Sequence, residues 1–448
     1  MVSTQPTGTR SSTTTWSERH PTGIRAGAVS RPLRPRATSV STCVEDDLFN
    51  PFLNGTVDDP YRYYALRRAH AEVQRGLPPD PSGPVCWYAL GYQAASRALT
   101  ADHFGLEISR VVPAEYLPPP AQVARPFLEL IQQWMILRDP PAHTRLRRAV
   151  APAFTKDAVL SQGPAIRQIA NQLLDDARLR GRMDLMTDFA VPLPILIIGR
   201  LLGVTDVDLR QIKDWSRSLL QGIDLKDNLS FDEAYVLASS AATQLNHFLR
   251  DLIMERRRSP RGDLISGMLD ADLDESEIIS SCALLLFAGH ETTVNLIGNG
   301  MLALLRHPSQ LDQLRNNLSA LPVAIEELLR YDSPSQITFR YAMKSCELGG
   351  VHLGAGEPIG IVVGSANHDT SQFHEPTVLD LERMPNRHLS FGAGCHACIG
   401  AGLARLEAQI AFEAILSSFP QIELLTTTPR WSASRGIRGL STLPLRVA

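Results

Sequence analysis

The chain has 448 residues, a formal net charge of −3 and a pI near 6.5, a balance that argues against a nucleic-acid-binding protein. Its apolar content of 44% is ample for a buried core. No apolar run reaches the about eighteen residues of a membrane span, because the strongest candidate, residues 191–204, contains Pro194 and Arg200. The six cysteines form no regular framework and fit a reducing compartment, so we expect a soluble cytoplasmic protein without a membrane anchor.

Residues 1–45 differ from the rest in being rich in Ser, Thr, Pro and Arg. Such a segment buries too little apolar surface to fold, so we predict a disordered tail, although a transit peptide would share this composition. Residues 46–448 contain no linker and are expected to form a single, mostly helical domain. Strand-like patterns occur at residues 84–90 and 337–363, the second with a turn at Gly349-Gly350.

A basic segment at residues 139–148 has the sequence Asp-Pro-Pro-Ala-His-Thr-Arg-Leu-Arg-Arg, and the family resemblance described below implies that a helix starts here. His143 and Arg147 are four residues apart, so they share one face of that helix. Taken alone, such charges most often belong to a solvated surface.

A long buried helix is predicted from Ile278 to about Arg306, preceded by Asp274 and Glu277 in the spacing of a capping box. Its middle is the polar sequence Ala-Gly-His-Glu-Thr-Thr at residues 288–293. Burying these side chains unpaired would cost a few kcal/mol, so the segment requires an explanation.

Three explanations apply to this polar segment. A zinc protease motif, H-E-x-x-H, fails because Val294 stands where the second histidine is required. A kinked helix would need Thr292 to bond back to the carbonyl four residues earlier, next to Gly289. The third explanation is an acid–alcohol pair, Glu291 and Thr292, that relays protons in a pocket from which bulk water is excluded.

A glycine-rich loop at residues 391–400, Phe-Gly-Ala-Gly-Cys-His-Ala-Cys-Ile-Gly, opens into a predicted helix over residues 401–416. Backbone N–H groups at a helix start favour a thiolate at Cys398, the form that attacks an electrophile or binds a metal. A lone buried cysteine is most often a small hydrophobic side chain. Cys395 and Cys398 could also form half of a zinc site or a redox dithiol, but the other cysteines are scattered singly.

The loop pattern F-G-x-G-x-H-x-C-x-G resembles the haem-binding loop of the cytochrome P-450 family of haem-thiolate monooxygenases. Upstream, D-P-P-x-H-T-x-x-R, A-G-x-E-T-T and E-x-x-R are similar to further family segments and occur in the family's order. The resemblance implies a mainly α fold with a small β-sheet region. It places haem b, iron protoporphyrin IX, between the long central helix and the helix that follows the cysteine loop.

The resemblance also implies residue roles. Cys398 is the axial ligand of the haem iron. Thr292 steadies the oxygen intermediate and Glu291 delivers protons. The other expected haem contacts, including the propionate donors, are His143, Arg147, Arg340, His396, Phe391, Gly392 and Ala288. A buried structural network is expected from Glu327, Arg330 and Arg383.

The implied reaction uses O2 and two externally supplied electrons to hydroxylate or epoxidise a hydrophobic small molecule of secondary metabolism. A ferredoxin or flavodoxin with its NAD(P)H-dependent reductase would supply the electrons to a monomeric enzyme, with Arg145 and Arg148 contributing to docking. An apolar substrate pocket is expected from Trp134, Leu286, Ile337 and Ile437. The alternatives are a peroxide-using enzyme or isomerase, and a non-catalytic haem sensor, which would not need Glu291 and Thr292.

Overall fold

The computed structural model describes residues 48–51, 58–79, 83–117, 121–204, 209–223, 229–432, 434 and 436–448. The tail predicted at residues 1–45 lies outside the described residues. The residues described from Leu48 onward belong to one compact unit. A search of the described helices finds none that combines the length and the apolar character needed to cross a bilayer.

Helices make up most of the described chain, which confirms the predicted class. They are α1 Tyr61–His70, α2 Tyr92–Thr100, α3 Arg125–Ile131, α4 Ala142–Val150, α5 Lys156–Ser161, α6 Gly163–Arg180, α7 Pro192–Leu201, α8 Leu209–Ile223, α9 Phe231–Arg258, α10 Leu264–Leu269, α11 Glu275–Ala288, α12 Glu291–Arg306, α13 Pro308–Asn316, α14 Leu321–Tyr331, α15 Val363–Ala366 and α16 Ala401–Ser418. The predicted helix at residues 401–416 corresponds to α16.

The strands are short and form a minor part of the fold. They are β1 Val73–Gly76, β2 Cys86–Ala89, β3 Phe104–Gly105, β4 Arg182–Asp184, β5 Ile337–Ala342, β6 Cys346–Leu348, β7 Val351–Leu353, β8 Pro358–Val362, β9 Ile422–Leu424, β10 Arg430–Trp431, β11 Leu440–Thr442 and β12 Pro444–Val447. Both predicted strand regions are confirmed, by β2 and by β5 to β8.

The largest sheet has the strand order β1-β2-β8-β5-β3, with β2 and β8 parallel and the other pairs antiparallel. A second sheet has the order β4-β12-β9, and β6-β7 and β10-β11 form two-stranded ribbons. The β6-β7 ribbon turns at Gly349 and Gly350, whose φ angles of 56° and 79° are open to glycine but strained for other residues. The large sheet carries Arg340 of β5 to the edge of the site described below.

Two helices, α11 and α12, run through the centre of the helical part and are apolar on most sides, as expected of buried helices. Residues of α11 join a core with α3, α8 and α9, whereas α12 packs with α6, α14 and α16 in another. The capping box predicted at the start of α11 is present: Asp274 accepts from Glu277 N–H, and the Glu277 side chain accepts from Asp274 N–H.

The single central helix predicted from Ile278 to Arg306 is wrong in one respect, because it is broken at Gly289 and His290. The backbone ladder runs as far as the bond from Gly289 N–H to Leu285 O and resumes with Val294 N–H to His290 O. At the break, the His290 ring bonds to Leu286 O through Nδ1 at 2.6 Å. A side chain therefore replaces backbone bonding at the point where the apolar pattern is interrupted.

Candidate active site

The cysteine loop is held in shape by glycines and by one backbone bond across it. Gly392 and Gly394 have φ angles of 66° and 72°. A Cβ atom at Gly394 would lie 2.6 Å from Leu99 O, too close for any other residue. Cys398 N–H donates to Phe391 O at 2.8 Å, and α16 begins three residues later, at Ala401. The loop thus presents Cys398 just before the helix start, as predicted.

The Cys398 thiol opens onto a cavity in the centre of the protein. Burial by the surrounding protein raises its pKa, although hydrogen bonds from the N–H groups of Gly400 and Ala401 favour the thiolate. The expected N–H groups therefore face the sulfur, but they lower its pKa by less than burial raises it. A cation placed at Sγ would reverse this balance, because metal coordination deprotonates a thiol.

The cavity lies between the cysteine loop and the broken central helix. The central helices contribute Leu284, Leu285, Ala288, Gly289, Thr292 and Thr293 to its lining. The loop side and α16 contribute Phe391, Gly392, His396, Ala397, Cys398, Ile399, Gly400, Leu403, Ala404 and Glu407. Basic side chains reach it from α4, as His143 and Arg147, and from β5, as Arg340. The structure thus brings all ten predicted site residues but Glu291 to the cavity wall, and Glu291 is next to Thr292.

Unpaired basic groups gather at one part of this wall. His143 and His396 lie with ring centroids 4.2 Å apart. Nδ1 of His143 and both ring nitrogens of His396 are buried without a hydrogen-bond partner among the described residues. Among the described residues no carboxylate lies within ion-pair distance of Arg147 or Arg340, and the nearest one to His396 is that of Asp139, with Oδ1 4.0 Å from Nε2. Buried donors without acceptors are costly, so this cluster calls for an anionic ligand.

Burial also determines the protonation of these groups. It lowers the pKa of His396 to about 3, and the positive charge of Arg340 acts in the same direction. Burial, followed by the charge of Arg147, lowers the pKa of His143. The two imidazoles are therefore neutral at physiological pH, and each can donate one N–H to an anion.

Cys395 lies beside the same histidines. Its sulfur and one nitrogen each of His143 and His396 all lie within 4.8 Å of one another, a spacing compatible with a metal ion. Cys398 is not a member of this group. The C-x-x-C pair therefore does not act as one unit, and Cys398 is the cysteine that opens onto the cavity.

The polar segment in the central helix places Thr292 on the cavity wall and Glu291 beside His290. Nε2 of His290 lies 3.5 Å from Oε1 of Glu291. The kinked-helix explanation is half right: the helix is broken, but the residue that bonds back to the carbonyl four residues earlier is His290, not Thr292. In the described part of the chain, the Thr292 hydroxyl therefore makes no hydrogen bond to the carbonyl four residues earlier.

Below the loop lies the predicted network of buried charges. Arg330 donates to both carboxylate oxygens of Glu327 at 2.7 and 2.8 Å, and Arg383 approaches the same carboxylate at 3.1 Å. Arg330 also donates to Asn367 O and Pro376 O. This network confirms the expected structural contacts and supports the segment that leads into the loop.

The sequence is similar to those of known proteins. The sequence model described as cytochrome P450 matches residues 224–444. The biotin biosynthesis cytochrome P450 of Bacillus subtilis is 37% identical over 392 residues, which cover 86% of this chain and 96% of the relative. The 6-deoxyerythronolide B hydroxylase of Saccharopolyspora erythraea is 35% identical, covering 85% of this chain and 95% of the relative.

A solved structure agrees with these sequence relatives. The crystal structure of P450BioI in complex with an acyl carrier protein ligated to hexadec-9Z-enoic acid has a TM-score of 0.82 and 37% identity, covering 88% of this chain and 100% of that one. The chain belongs to the cytochrome P450 family. It is a P450 monooxygenase, the class in which its relatives are named, and the family's cofactor is haem iron.

The residues of this P450 fit haem on two independent grounds. The cavity presents a thiol that needs a cation to become a thiolate. At its edge it presents two arginines and two neutral histidines that need an anion. A flat cofactor with a central iron and carboxylates at its rim meets both needs at once.

Sequence reasoning missed Glu407 in α16. Its side chain is buried and lines the cavity, and Oε2 has no hydrogen-bond partner among the described residues. Burial raises the pKa of Glu407 well above its usual value, so the carboxyl is neutral. A signal was available: Glu407 falls on the apolar face of the predicted helix, between Leu403 and Ile410.

The cavity lining of this P450 includes none of the apolar residues expected to form the substrate pocket, which are Trp134, Leu286, Ile337 and Ile437. Trp134 is buried against Phe287, with ring centroids 5.3 Å apart, and Leu286 is buried in the same core. Ile337 packs in a separate cluster with Phe49 and Tyr88. The described lining instead draws its apolar side chains on this side from Met135, Ile136, Ile198, Leu284 and Leu285.

Arg145 already has an acidic partner within the chain. Its guanidinium is paired with the carboxylate of Glu277, with Nη1 at 2.8 Å from Oε2, and it also donates to Asp272 O. The pairing joins α4 to the first turn of α11. Of the two arginines considered for docking, Arg148 alone is exposed.

Proposed function

We propose that this P450 hydroxylates or epoxidises a hydrophobic small molecule of secondary metabolism, using O2 and two electrons from a separate carrier. The observation that carries the proposal is that Cys398 and Thr292 open onto one cavity, from the loop and from the broken central helix. A haem sensor would need the first residue without the second. The acid–alcohol pair therefore favours oxygen chemistry over sensing.

The proposed cofactor is haem b, whose iron would be bound by Cys398 Sγ. His143, Arg147, Arg340 and His396 would donate to the propionates, since these four basic groups lie together at the cavity, and ring nitrogens of both histidines have no hydrogen-bond partner among the described residues. Phe391, Gly392 and Ala288 line the same cavity and would contact the ring. When bound, haem supplies the redox-active iron at which O2 is reduced and cleaved.

The chain's own part in that chemistry is to handle protons and to exclude water. Thr292 presents a hydroxyl to the cavity beside a helix break that leaves the local backbone irregular. Glu291, whose side chain is 25% exposed, can exchange protons with solvent and pass them to the neighbouring hydroxyl. Around them the wall is apolar, which limits uncontrolled access of water.

The substrate is proposed to be hydrophobic because its side of the cavity is formed by Met135, Ile136, Ile198, Leu284 and Leu285. Relatives support a natural-product role. One is named polyketide biosynthesis cytochrome P450 PksS, from Bacillus subtilis, and another is a hydroxylase of 6-deoxyerythronolide B. A fatty acyl chain is bound in the P450BioI complex.

The electron donor is proposed to be a ferredoxin or flavodoxin with an NAD(P)H-dependent reductase, acting on a monomeric cytoplasmic enzyme. Arg148 is an exposed basic residue on α4, the helix that also carries His143 and Arg147 to the cavity. An acidic carrier would meet positive charge there. Arg145 is paired with Glu277, so less of its charge is available for this role than that of Arg148.

Uncoupling tests the proposed function. Substrates are first selected from a small-molecule library by their effect on the haem spectrum, and turnover is then driven by a ferredoxin and its reductase. Thr292→Ala is expected to consume NAD(P)H at a similar rate but to release peroxide in place of product, whereas Thr292→Ser, which keeps the hydroxyl, retains product formation. Unchanged coupling in Thr292→Ala would remove Thr292 from the mechanism. Product formed at full rate from peroxide without NAD(P)H would favour the peroxide-using alternative.

A further inference from the structure

His290 occupies the break between α11 and α12 and is almost fully buried, with 3% of its surface exposed. Its Nδ1 lies 2.6 Å from Leu286 O. A carbonyl oxygen can only accept a hydrogen bond, so Nδ1 carries a proton. This bond satisfies a carbonyl of α11 where the helical ladder is interrupted, and it fixes the orientation of the ring.

The fixed ring determines what its other nitrogen can do. Because Nδ1 is protonated, Nε2 of the neutral ring is a proton acceptor. Nε2 lies 3.5 Å from Oε1 of Glu291, within ion-pair distance. At this separation a charge on either group acts strongly on the other, and a proton can pass between Nε2 and Oε1 with little movement.

We propose that His290 is a positioning residue that holds Glu291 beside Thr292 and shares one exchangeable proton with it. The proton resides on Oε1 as a carboxylic acid facing a neutral imidazole, or on Nε2 as an imidazolium facing a carboxylate. When the pair gives this proton to the relay at Thr292, a proton from solvent replaces it through the partly exposed Glu291. This inference rests on the proposed function, because the relay at Thr292 is part of it.

The geometry explains why both groups are needed. His290 is buried and cannot exchange protons with solvent directly, whereas Glu291 reaches solvent but lies on the first turn of α12, next to the break. A ring anchored to Leu286 O limits the motion of the side chain that it faces. The bond from His290 to Leu286 O, which exists because the helix is broken there, therefore also fixes the ring that positions Glu291.

Two isosteric substitutions separate the two nitrogens of His290. In His290→Asn the side-chain amide can still donate to Leu286 O, as Nδ1 does, but nothing replaces Nε2. In His290→Gln the amide reaches the Nε2 position and leaves Leu286 O without its donor. We expect His290→Asn to keep the thermal midpoint close to that of the wild type. We expect it also to yield roughly tenfold less product per NAD(P)H, a smaller loss than removing a general acid because Glu291 remains.

The chain offers a matched control in His307, at the end of α12. Its Nδ1 bonds to Ala303 O, four residues earlier, at 2.8 Å, and in the described residues it is paired with no carboxylate. His307→Asn is therefore expected to leave the ratio of product to NAD(P)H unchanged. Equal uncoupling in the two asparagine variants would overturn the proposal.

A double-variant cycle tests the coupling. In a Glu291→Gln background, His290→Asn should cause no further loss of coupling, because the pair is already broken. Independent, additive losses would overturn the proposal. If Thr292→Ala uncouples turnover but His290→Asn behaves as the wild type, this inference alone fails; if Thr292→Ala has no effect, the proposed function fails first.

A measurement without turnover keeps the proposal testable even if the variants fold poorly. Nitrogen NMR of the ¹⁵N-histidine-labelled protein, with His290 assigned from the His290→Asn spectrum or by comparison with His290→Gln, reports the protonation of each ring nitrogen. A proton on Nδ1 is expected in all states, with Nε2 responding to Glu291→Gln. A neutral ring protonated only on Nε2 would overturn the proposal.

Discussion

Arg330 donates two hydrogen bonds, of 2.7 and 2.8 Å, to the carboxylate of Glu327, and neither side chain has any solvent-exposed surface. Arg383 approaches the same carboxylate. One anion thus offsets two cations in the interior. The arginines also donate to backbone carbonyls of residues 367–378. These bonds hold the segment that leads to the cysteine loop against α14, the helix that carries Glu327 and Arg330.

Replacing Glu327 by Gln should be severely destabilising. The substitution keeps the shape of the side chain but leaves two buried guanidinium groups without their counter-charge, at a cost of about 3–5 kcal/mol in the free energy of unfolding. Urea unfolding and the ratio of haem to protein after purification measure the effect. Glu423→Gln is the control: its pair with Arg446 is also 2.7 Å long but about 60% exposed on both sides, so the loss should stay within about 1 kcal/mol. Equal losses in the two variants would contradict the structural role of Glu327.

Glu407 gives a pH dependence whose sign is fixed by its burial. Its pKa in the folded protein lies well above the unfolded value near 4.5. The stabilising contribution of its bound proton is therefore complete below about pH 4.5 and is lost as pH rises towards the folded pKa. Glu407→Gln, which mimics the neutral acid, should match the wild type near pH 4 and gain stability over it at pH 7 to 8. Unfolding curves of both proteins across this range check the prediction, and a difference independent of pH would contradict it.

Arg340 is predicted to retain the cofactor. Burial lowers the pKa of its guanidinium, and Nη1 donates to Phe339 O at 2.7 Å, which orients the group at the cavity. Arg340→Met keeps the length of the side chain but removes the charged donor, so haem should be lost about 10- to 100-fold faster, as expected for a hydrogen bond to a charged group. Transfer of haem to excess apomyoglobin measures the rate.

Arg148→Gln serves as the control for that experiment. It removes a charge from the helix that carries His143 and Arg147, but the side chain is exposed. Its rate of haem loss should equal that of the wild type. A similar acceleration in both variants would show that net charge, not contact by Arg340, governs retention.

Much of this site follows from local sequence patterns. The capping box of Asp274 and Glu277, the turn at Gly349 and Gly350, and the loop around Cys398 each depend on residues close together in the chain, and all are present. The Glu327–Arg330 pair is local as well. Its burial and its contact with Arg383, expected from the family resemblance, depend on packing by residues far away.

The features that the sequence did not reveal depend on contacts between residues far apart in the chain. The sequence does not show that the fold places Glu277, 132 residues later, against Arg145. Trp134 looked like a pocket residue, but Phe287 offers it a stacking partner inside the core. The kink considered at Gly289 was right in place but not in its bond, because Leu286 O is satisfied by a histidine ring, an option that apolar periodicity does not record.

The central claim is that Cys398, and not its neighbour Cys395, is the iron ligand. The absorption spectrum of the reduced, carbon-monoxide-bound protein tests it most directly, because thiolate ligation shifts the Soret band to the red. The wild type and Cys395→Ser should both show the red-shifted band, and Cys398→Ser should lose it. A red-shifted band that survives in Cys398→Ser, or disappears in Cys395→Ser alone, would contradict the assignment.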